Sequence, residues 1–190
     1  MKTEKAKESC VKEQLILAGL KEIELHGLAD FSIRRVAKAC ELSCAAPYKH
    51  FADKREFILE IIDYVNQRWL QRATAVIERF PDNTRKQLVE LSMEYIYFLL
   101  ENPHFRAIMM LLDDSPEAEQ IVEVSSTTSR LIKRYCANVA MPENVELRKT
   151  FVVRSLIYGA ALMLDNGQLP REESSFRFIS EAIDREFDLP

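Results

Sequence analysis

Between Ser43 and His50 the chain sets three small residues, Cys44, Ala45 and Ala46, just ahead of Tyr48, Lys49 and His50. Small side chains let a helical turn come close to a base edge, and an alanine methyl packs on a thymine methyl. The hydroxyl, ammonium and imidazole that follow are donors suited to phosphate oxygens or base edges. Upstream, Ser32 precedes a short amphipathic run in which Ile33, Val36, Ala37 and Cys40 share one face and Arg34, Arg35 and Lys38 the other. The chemistry available here is nucleic-acid recognition. The plain alternative is that Tyr48 and His50 cover a small helical core.

Other chemistries find no footing. No nucleophile with a matching base, no metal-ligand cluster and no glycine-rich phosphate loop can be assembled from the chain, so an enzyme is not expected. Glu101 and His104 have the spacing of a helical metal pair, but Pro103 breaks the helix between them and no second copy exists. Cys10, Cys40, Cys44 and Cys136 lack C-x-x-C spacing and neighbouring histidines, which argues against zinc. Neither a metal nor another cofactor is expected. Cys40 and Cys44 flank the turn, a place for a thiol sensor, although a small buried apolar cysteine is the commoner case.

The elements that must position these residues are helical. Four glycines in 190 residues and no alternating β-branched runs predict an all-α chain. A first helix is predicted over about Ser9 to His26, with Val11, Leu15, Ala18, Ile23 and Leu25 inward and Gly27 as its left-handed cap. Lys2, Lys5 and Lys7 precede it as a basic arm. Ser32 caps a second helix, and Ser43 caps a third over residues 44–50, in which Pro47 removes only a terminal bond. Asp53 and Glu56 have capping-box spacing for a long fourth helix reaching about Phe80. Thr84 with Gln87, Asn102-Pro103, Ser115-Pro116-Glu117 and Met141-Pro142-Glu143 start further helices, and a last one covers about residues 172–187. The total is about nine.

The stretch from about Leu15 to Val65 resembles the N-terminal DNA-binding domain of the TetR family of transcriptional regulators. The features are an apolar helix ending in His26-Gly27, then Phe31-Ser32-Ile33-Arg34-Arg35-Val36-Ala37, then Ser43 followed by Ala46-Pro47-Tyr48-Lys49-His50-Phe51, then Asp53-Lys54 opening a long helix. Glu41 stands where the family usually has glycine in the turn. Tyr97 to Met110 and Leu156-Ile157-Tyr158-Gly159 also resemble a common class of TetR regulatory domain, which often has Trp-His-Gly in place of Ile157-Tyr158-Gly159. The resemblance implies a helix-turn-helix DNA-binding domain over residues 1–56, and a ligand-binding and dimerisation domain over residues 57–190. The expected DNA-contacting residues are Ser32, Arg34, Arg35, Ser43, Cys44, Ala45, Ala46, Tyr48, Lys49, His50 and Lys54.

Charge is distributed accordingly. Residues 1–56 carry net +2 and the remainder net −6, a mildly basic head on an acidic body. In the body, Trp69, Met93, Tyr97, Phe105, Met109 and Tyr135 form a soft aromatic set able to line a pocket for an apolar or amphipathic small molecule, or simply to fill the core. Val152, Leu156, Gly159, Ala160 and Met163 give one C-terminal helix a small apolar face, and Phe176, Ile179, Ile183 and Phe187 give the last helix a stripe. These faces suit a four-helix interface with a second copy, or packing within one chain. There is no 18-residue apolar run and no signal-peptide pattern, so a cytoplasmic location is expected. The resemblance to the TetR family thus implies a homodimeric, ligand-responsive regulator, a repressor of a palindromic operator. A helical small-molecule-binding protein or enzyme without DNA binding, or a helical adaptor, is the alternative.

Overall fold

The computed structural model describes residues 2–103 and 118–188. Among these residues there are seven α-helices and no strand: α1 (Lys2–His26), α2 (Ile33–Ala39), α3 (Lys54–Arg79), α4 (Thr84–Glu101), α5 (Ala118–Asn138), α6 (Glu143–Asp165) and α7 (Glu173–Glu186). The expected helix after Pro103, with Phe105 and Met109, and the expected start at Ser115 lie outside the described residues. No described helix is long and apolar enough to cross a membrane. The described residues gather into two compact units, one of residues 2–67, 103 and 118–121 and the other of residues 68–102 and 122–188.

In the first unit α1 begins seven residues earlier than expected, because Lys, Glu and Ala at its start are strong helix formers and no glycine or proline intervenes. Its basic lysines therefore lie on helix rather than in an arm. Leu15, Ile16, Leu20 and Ile23 are buried, whereas Leu25, expected inward, is 72% exposed. Gly27 adopts φ 73° and donates its N–H to Ile23 O at 2.8 Å, ending the helix as expected. Gly19 is where α1 meets α3: a Cβ there would stand 2.5 Å from Ile61 Cδ1 and 3.4 Å from Phe57. The core of this unit is aromatic. Phe51 stacks on Phe57 at 3.9 Å, and Phe31 meets Phe57 edge-on at 5.4 Å, contacts worth about 0.5–1.5 kcal/mol each beyond their burial.

Capping residues set the next boundaries. Asp53 Oδ1 accepts from Glu56 N at 2.8 Å, so Asp53 caps α3 as expected, while Glu56 reaches past the cap residue to accept the Ala52 N–H instead of that of Asp53. At α4 the cap is Asn83, whose Oδ1 accepts from Lys86 N at 2.9 Å. Thr84 is the first helical residue, and the expected cap moves back by one. Gln87 is buried and donates to Ile77 O at 3.0 Å instead of closing a box with Thr84.

In the second unit α4 packs on α6 and α7, and α6 packs on α7. Trp69, fully buried, lies 4.7 Å from Tyr95 and 5.5 Å from Phe98. Ile179, Ile183 and Phe187 point into this core, and Phe176 stacks against Tyr97 at 4.9 Å. The stripe on α7 is thus satisfied within its own chain. Three helices cap the C-terminal end of α7. Arg85 of α4 pairs with Asp184 at 2.7 Å and Asp188 at 2.6 Å, Tyr135 of α5 donates to Phe187 O at 3.1 Å, and the buried Lys149 of α6 donates to Glu186 O at 2.6 Å. Cationic and hydroxyl donors at a helix C-terminus satisfy its orphan carbonyls and favour its dipole.

Candidate nucleic-acid interface

The placement of α2 depends on a carboxylate that periodicity does not single out. Glu22, on α1 and buried, accepts the Ser32 N–H at 3.1 Å and the Arg35 Nε–H at 2.7 Å. Ser32 caps α2 by accepting the Arg35 N–H. The Arg35 guanidinium also donates to Asp30 O at 2.5 Å, and its hydrogen bond to the Glu22 carboxylate raises its pKa above the ordinary value. Arg35 thus fastens α2 to α1, while Arg34 is exposed.

The turn after α2 closes with two bonds, Leu42 N to Ala37 O at 2.9 Å and Glu41 N to Lys38 O at 3.1 Å, with Glu41 at φ 57°. This is a Schellman cap, whose left-handed position favours glycine. The glutamate keeps the turn geometry at the cost of backbone strain. Cys40 lies behind the turn with Sγ 3.6 Å from Gln14 O, and burial raises the pKa of its thiol. A raised pKa lowers the thiolate fraction and with it reactivity, whereas Cys44 is exposed.

From Ser43 to Phe51 the chain winds tightly, but not as the expected α-helix. Pro47–Lys49 form one 3₁₀ turn. Ala46 N donates to Ser43 O at 2.9 Å and Lys49 N to Ala46 O at 3.1 Å; His50 N and Phe51 N both donate to Pro47 O. Pro47 has no N–H to offer Ser43 O, so Ala46 takes that acceptor and the segment closes mostly by three-residue steps. Pro47 and Phe51 are buried and anchor it, leaving Ser43, Cys44, Ala45, Tyr48 and Lys49 exposed and Ala46 and His50 half-buried. Lys54 Nζ donates to Ala29 O at 3.0 Å. The expected contact residues divide into an outward set around Tyr48 and Lys49 and a set that holds the framework, Ser32, Arg35 and Lys54.

Comparison with known proteins places this geometry. Residues 15–61 match the family model described as bacterial regulatory proteins, tetR family. They are a TetR-family N-terminal domain. No curated protein matches the chain by sequence. Among solved structures, a TetR family transcription regulator from Marinobacter aquaeolei VT8 superposes with TM-score 0.77 at 18% identity, over 98% of each chain. A TetR-family transcriptional regulator from Bordetella parapertussis 12822 gives 0.69 at 13% identity, over 93% of each. A protein of unknown function from Rhodococcus sp. RHA1 gives 0.74 at 19%, again over 93% of each. At such identities the likeness is one of fold, and it extends beyond the TetR-type domain to nearly the whole chain.

Outside the TetR-type domain, four of the six expected pocket residues are among the described residues, and Phe105 and Met109 are not. Trp69 is in the core with Tyr95 and Phe98, Met93 is buried on α4, Tyr97 is 37% exposed against Phe176, and Tyr135 meets Phe187 at 5.1 Å. Among the described residues, the Trp69 indole N–H and the Thr128 hydroxyl are buried without a hydrogen-bond partner. Sequence reading missed Thr128, Glu22 and Lys149. Periodicity treats such polar residues as surface, and only their three-dimensional surroundings reveal them.

Proposed function

We propose that the protein is a homodimeric, sequence-specific DNA-binding transcriptional regulator, a cytoplasmic repressor released from a palindromic operator by an apolar or amphipathic small molecule. The observation that carries this reading is the exposed edge Ser43–Lys49, held by buried Pro47 and Phe51 inside a segment that matches the tetR family model. Residues 1–56 read DNA, and residues 57–190 receive the ligand and the second subunit. Ser43 to Ala46 approach the base edges, with Arg34, Lys49 and His50 as base readers and Tyr48 on phosphate. Ser32, Arg35 and Lys54 orient these groups, and Lys54 lies beside the backbone as well.

The inducer contacts Trp69. An unpartnered buried N–H costs about 1–3 kcal/mol, which a ligand acceptor would recover, and the Thr128 hydroxyl offers a second polar contact of the same kind. Phe57, Ile61 and Trp69 belong to the single helix α3, so occupancy at Trp69 biases the helix that also carries the head's aromatic core. A coupling of about 1–3 kcal/mol lowers operator affinity roughly 5- to 150-fold.

Selection from random duplexes tests the reading. Enrichment of a palindrome whose half-sites lie about 34 Å apart is the expected result, and recovery of unselected sequence overturns it.

A further inference from the structure

Side chains read a base pair in the major groove by type: Arg or Lys on guanine, Asn or Gln on adenine, Asp or Glu on cytosine, and a small apolar group on the thymine methyl. By that code the exposed edge of the head is strongly biased. Residues 43–50 contain no Arg, Asn, Gln, Asp or Glu. Lys49 and His50 stand at the trailing end, and the leading end is Ser43, Cys44, Ala45 and Ala46. The Ser43 hydroxyl serves donors and acceptors alike and discriminates little.

The backbone puts the two apolar members foremost. Ala46 N donates to Ser43 O at 2.9 Å, which closes a four-residue turn with Cys44 and Ala45 as its central residues. Both are exposed, whereas Ala46 is half-buried. Behind the turn, buried Pro47 and Phe51 pin the segment to the core, and His50 N and Phe51 N both donate to Pro47 O. Tyr48 and Lys49, also exposed, flank the tip with hydroxyl and ammonium donors.

A tip of this composition has little to offer a polar base edge. Alanine has no polar side-chain atom, and cysteine behaves as a small hydrophobe with a weak S–H donor. Pressed against guanine, adenine or cytosine, such groups take the donors and acceptors of the base out of water without replacing their hydrogen bonds, which costs affinity. The thymine C5-methyl is the apolar group that a base presents in the major groove. Contact there removes apolar surface from water on both sides.

We infer that Cys44 and Ala45 select thymine by its C5-methyl, so that each half-site of the operator places thymine under the tip of this turn. The hydrogen-bonding readers lie to either side of it. This rests on the DNA-binding regulator of the proposed function and names the base feature that it selects.

Replacing deoxythymidine by deoxyuridine tests the inference, because the exchange removes the C5-methyl and keeps every hydrogen-bonding group. The operator enriched from random duplexes is resynthesised with deoxyuridine at one thymine position at a time, in both half-sites together. Under the turn, the affinity of the full-length protein should fall about fourfold per methyl, roughly fifteenfold for the pair, while thymines elsewhere should tolerate the exchange. Cys44→Ser, which trades the thiol for a hydroxyl, and Ala45→Gly, which removes the methyl, should each reduce the ratio of thymidine to uridine affinity. That ratio is taken on one protein, so a variant that folds less well lowers both affinities alike and leaves it readable. Deoxyuridine tolerated at every position, a ratio that either variant leaves unchanged, or an enriched operator whose half-sites share no thymine overturns methyl reading and leaves the DNA-binding regulator standing. Random duplexes that yield no enriched sequence overturn both.

Discussion

Glu22 Oε1 lies 2.7 Å from Arg35 Nε, and the same oxygen accepts the Ser32 N–H at the start of α2. One buried carboxylate thus fixes both the cap of α2 and the arginine one turn into it. Glu22→Ala should destabilise the head by about 1–3 kcal/mol, since it strips the Ser32 N–H of its acceptor in a partly buried place. Urea unfolding followed by circular dichroism checks this. Glu22→Gln should retain part of the stability, because its amide oxygen still accepts.

Glu41 at φ 57° sits where a non-glycine residue is strained by about 1–2 kcal/mol. Glu41→Gly should raise stability by about 1 kcal/mol after its larger unfolded-state entropy is counted, whereas Glu41→Ala should give no comparable gain. A midpoint shift for glycine alone identifies the backbone, not the carboxylate, as the cause.

Lys49 is exposed, whereas Lys54 donates to Ala29 O. Lys49→Ala should weaken operator binding while leaving the melting temperature unchanged. Lys54→Ala should weaken binding to all duplexes, reduce the salt slope by about one unit and also lower head stability. Affinity measured across a salt series, alongside melting curves, separates the two lysines.

The Arg85 hydrogen bond holds the Asp188 carboxyl below the usual carboxylate range. Its proton is bound less tightly in the folded chain than in the unfolded one. The stabilisation is therefore complete above the ordinary carboxylate pKa, about 3.9, and is lost as pH falls through the lower folded value. Asp188→Asn should reduce stability at neutral pH and flatten the acid limb of the stability curve. An unaltered acid limb would show that the ion pair is not retained in solution.

Among the described residues nothing lies within 4 Å of a Cβ built at Gly159. Gly159→Leu should therefore leave the monomer fold intact while keeping the α6 helices of two subunits apart, giving a folded protein that sediments as a monomer and binds a half-site weakly. A Gly159→Leu protein that remains dimeric moves the crossing point elsewhere along α6.

The stretch from Phe31 to Phe57 was legible because its determinants are local. Ser32, Asp53 and Glu56 are caps, and caps act within one helical turn. Where Pro47 removes a donor, the sequence marks the defect but not that the segment winds into a 3₁₀ turn, which depends on Ser43 O finding Ala46 instead. Periodicity finds the apolar face of α7 but not its cover, and the structure turns Ile179 and Ile183 into their own unit. On α6, periodicity singles out Gly159 and Met163 but passes over Leu147 and Phe151, which are exposed despite being large and apolar. Residue type is local, whereas a pocket shared by Trp69, Tyr97 and Tyr135 requires particular helix crossings, which periodicity does not specify.

Trp69 is the only tryptophan in the chain and is fully buried against Tyr95 and Phe98. Its surroundings make it an optical gauge of one unit. Indole emission from so dry a place lies to the blue and shifts red when water enters, while far-ultraviolet dichroism sums over every helix. If both signals move together on heating, the chain unfolds as one cooperative body; if they part, the interval between them measures how independently the two units hold their structure. The protein thus carries, unlabelled, a spectroscopic readout centred on the unit that holds Trp69.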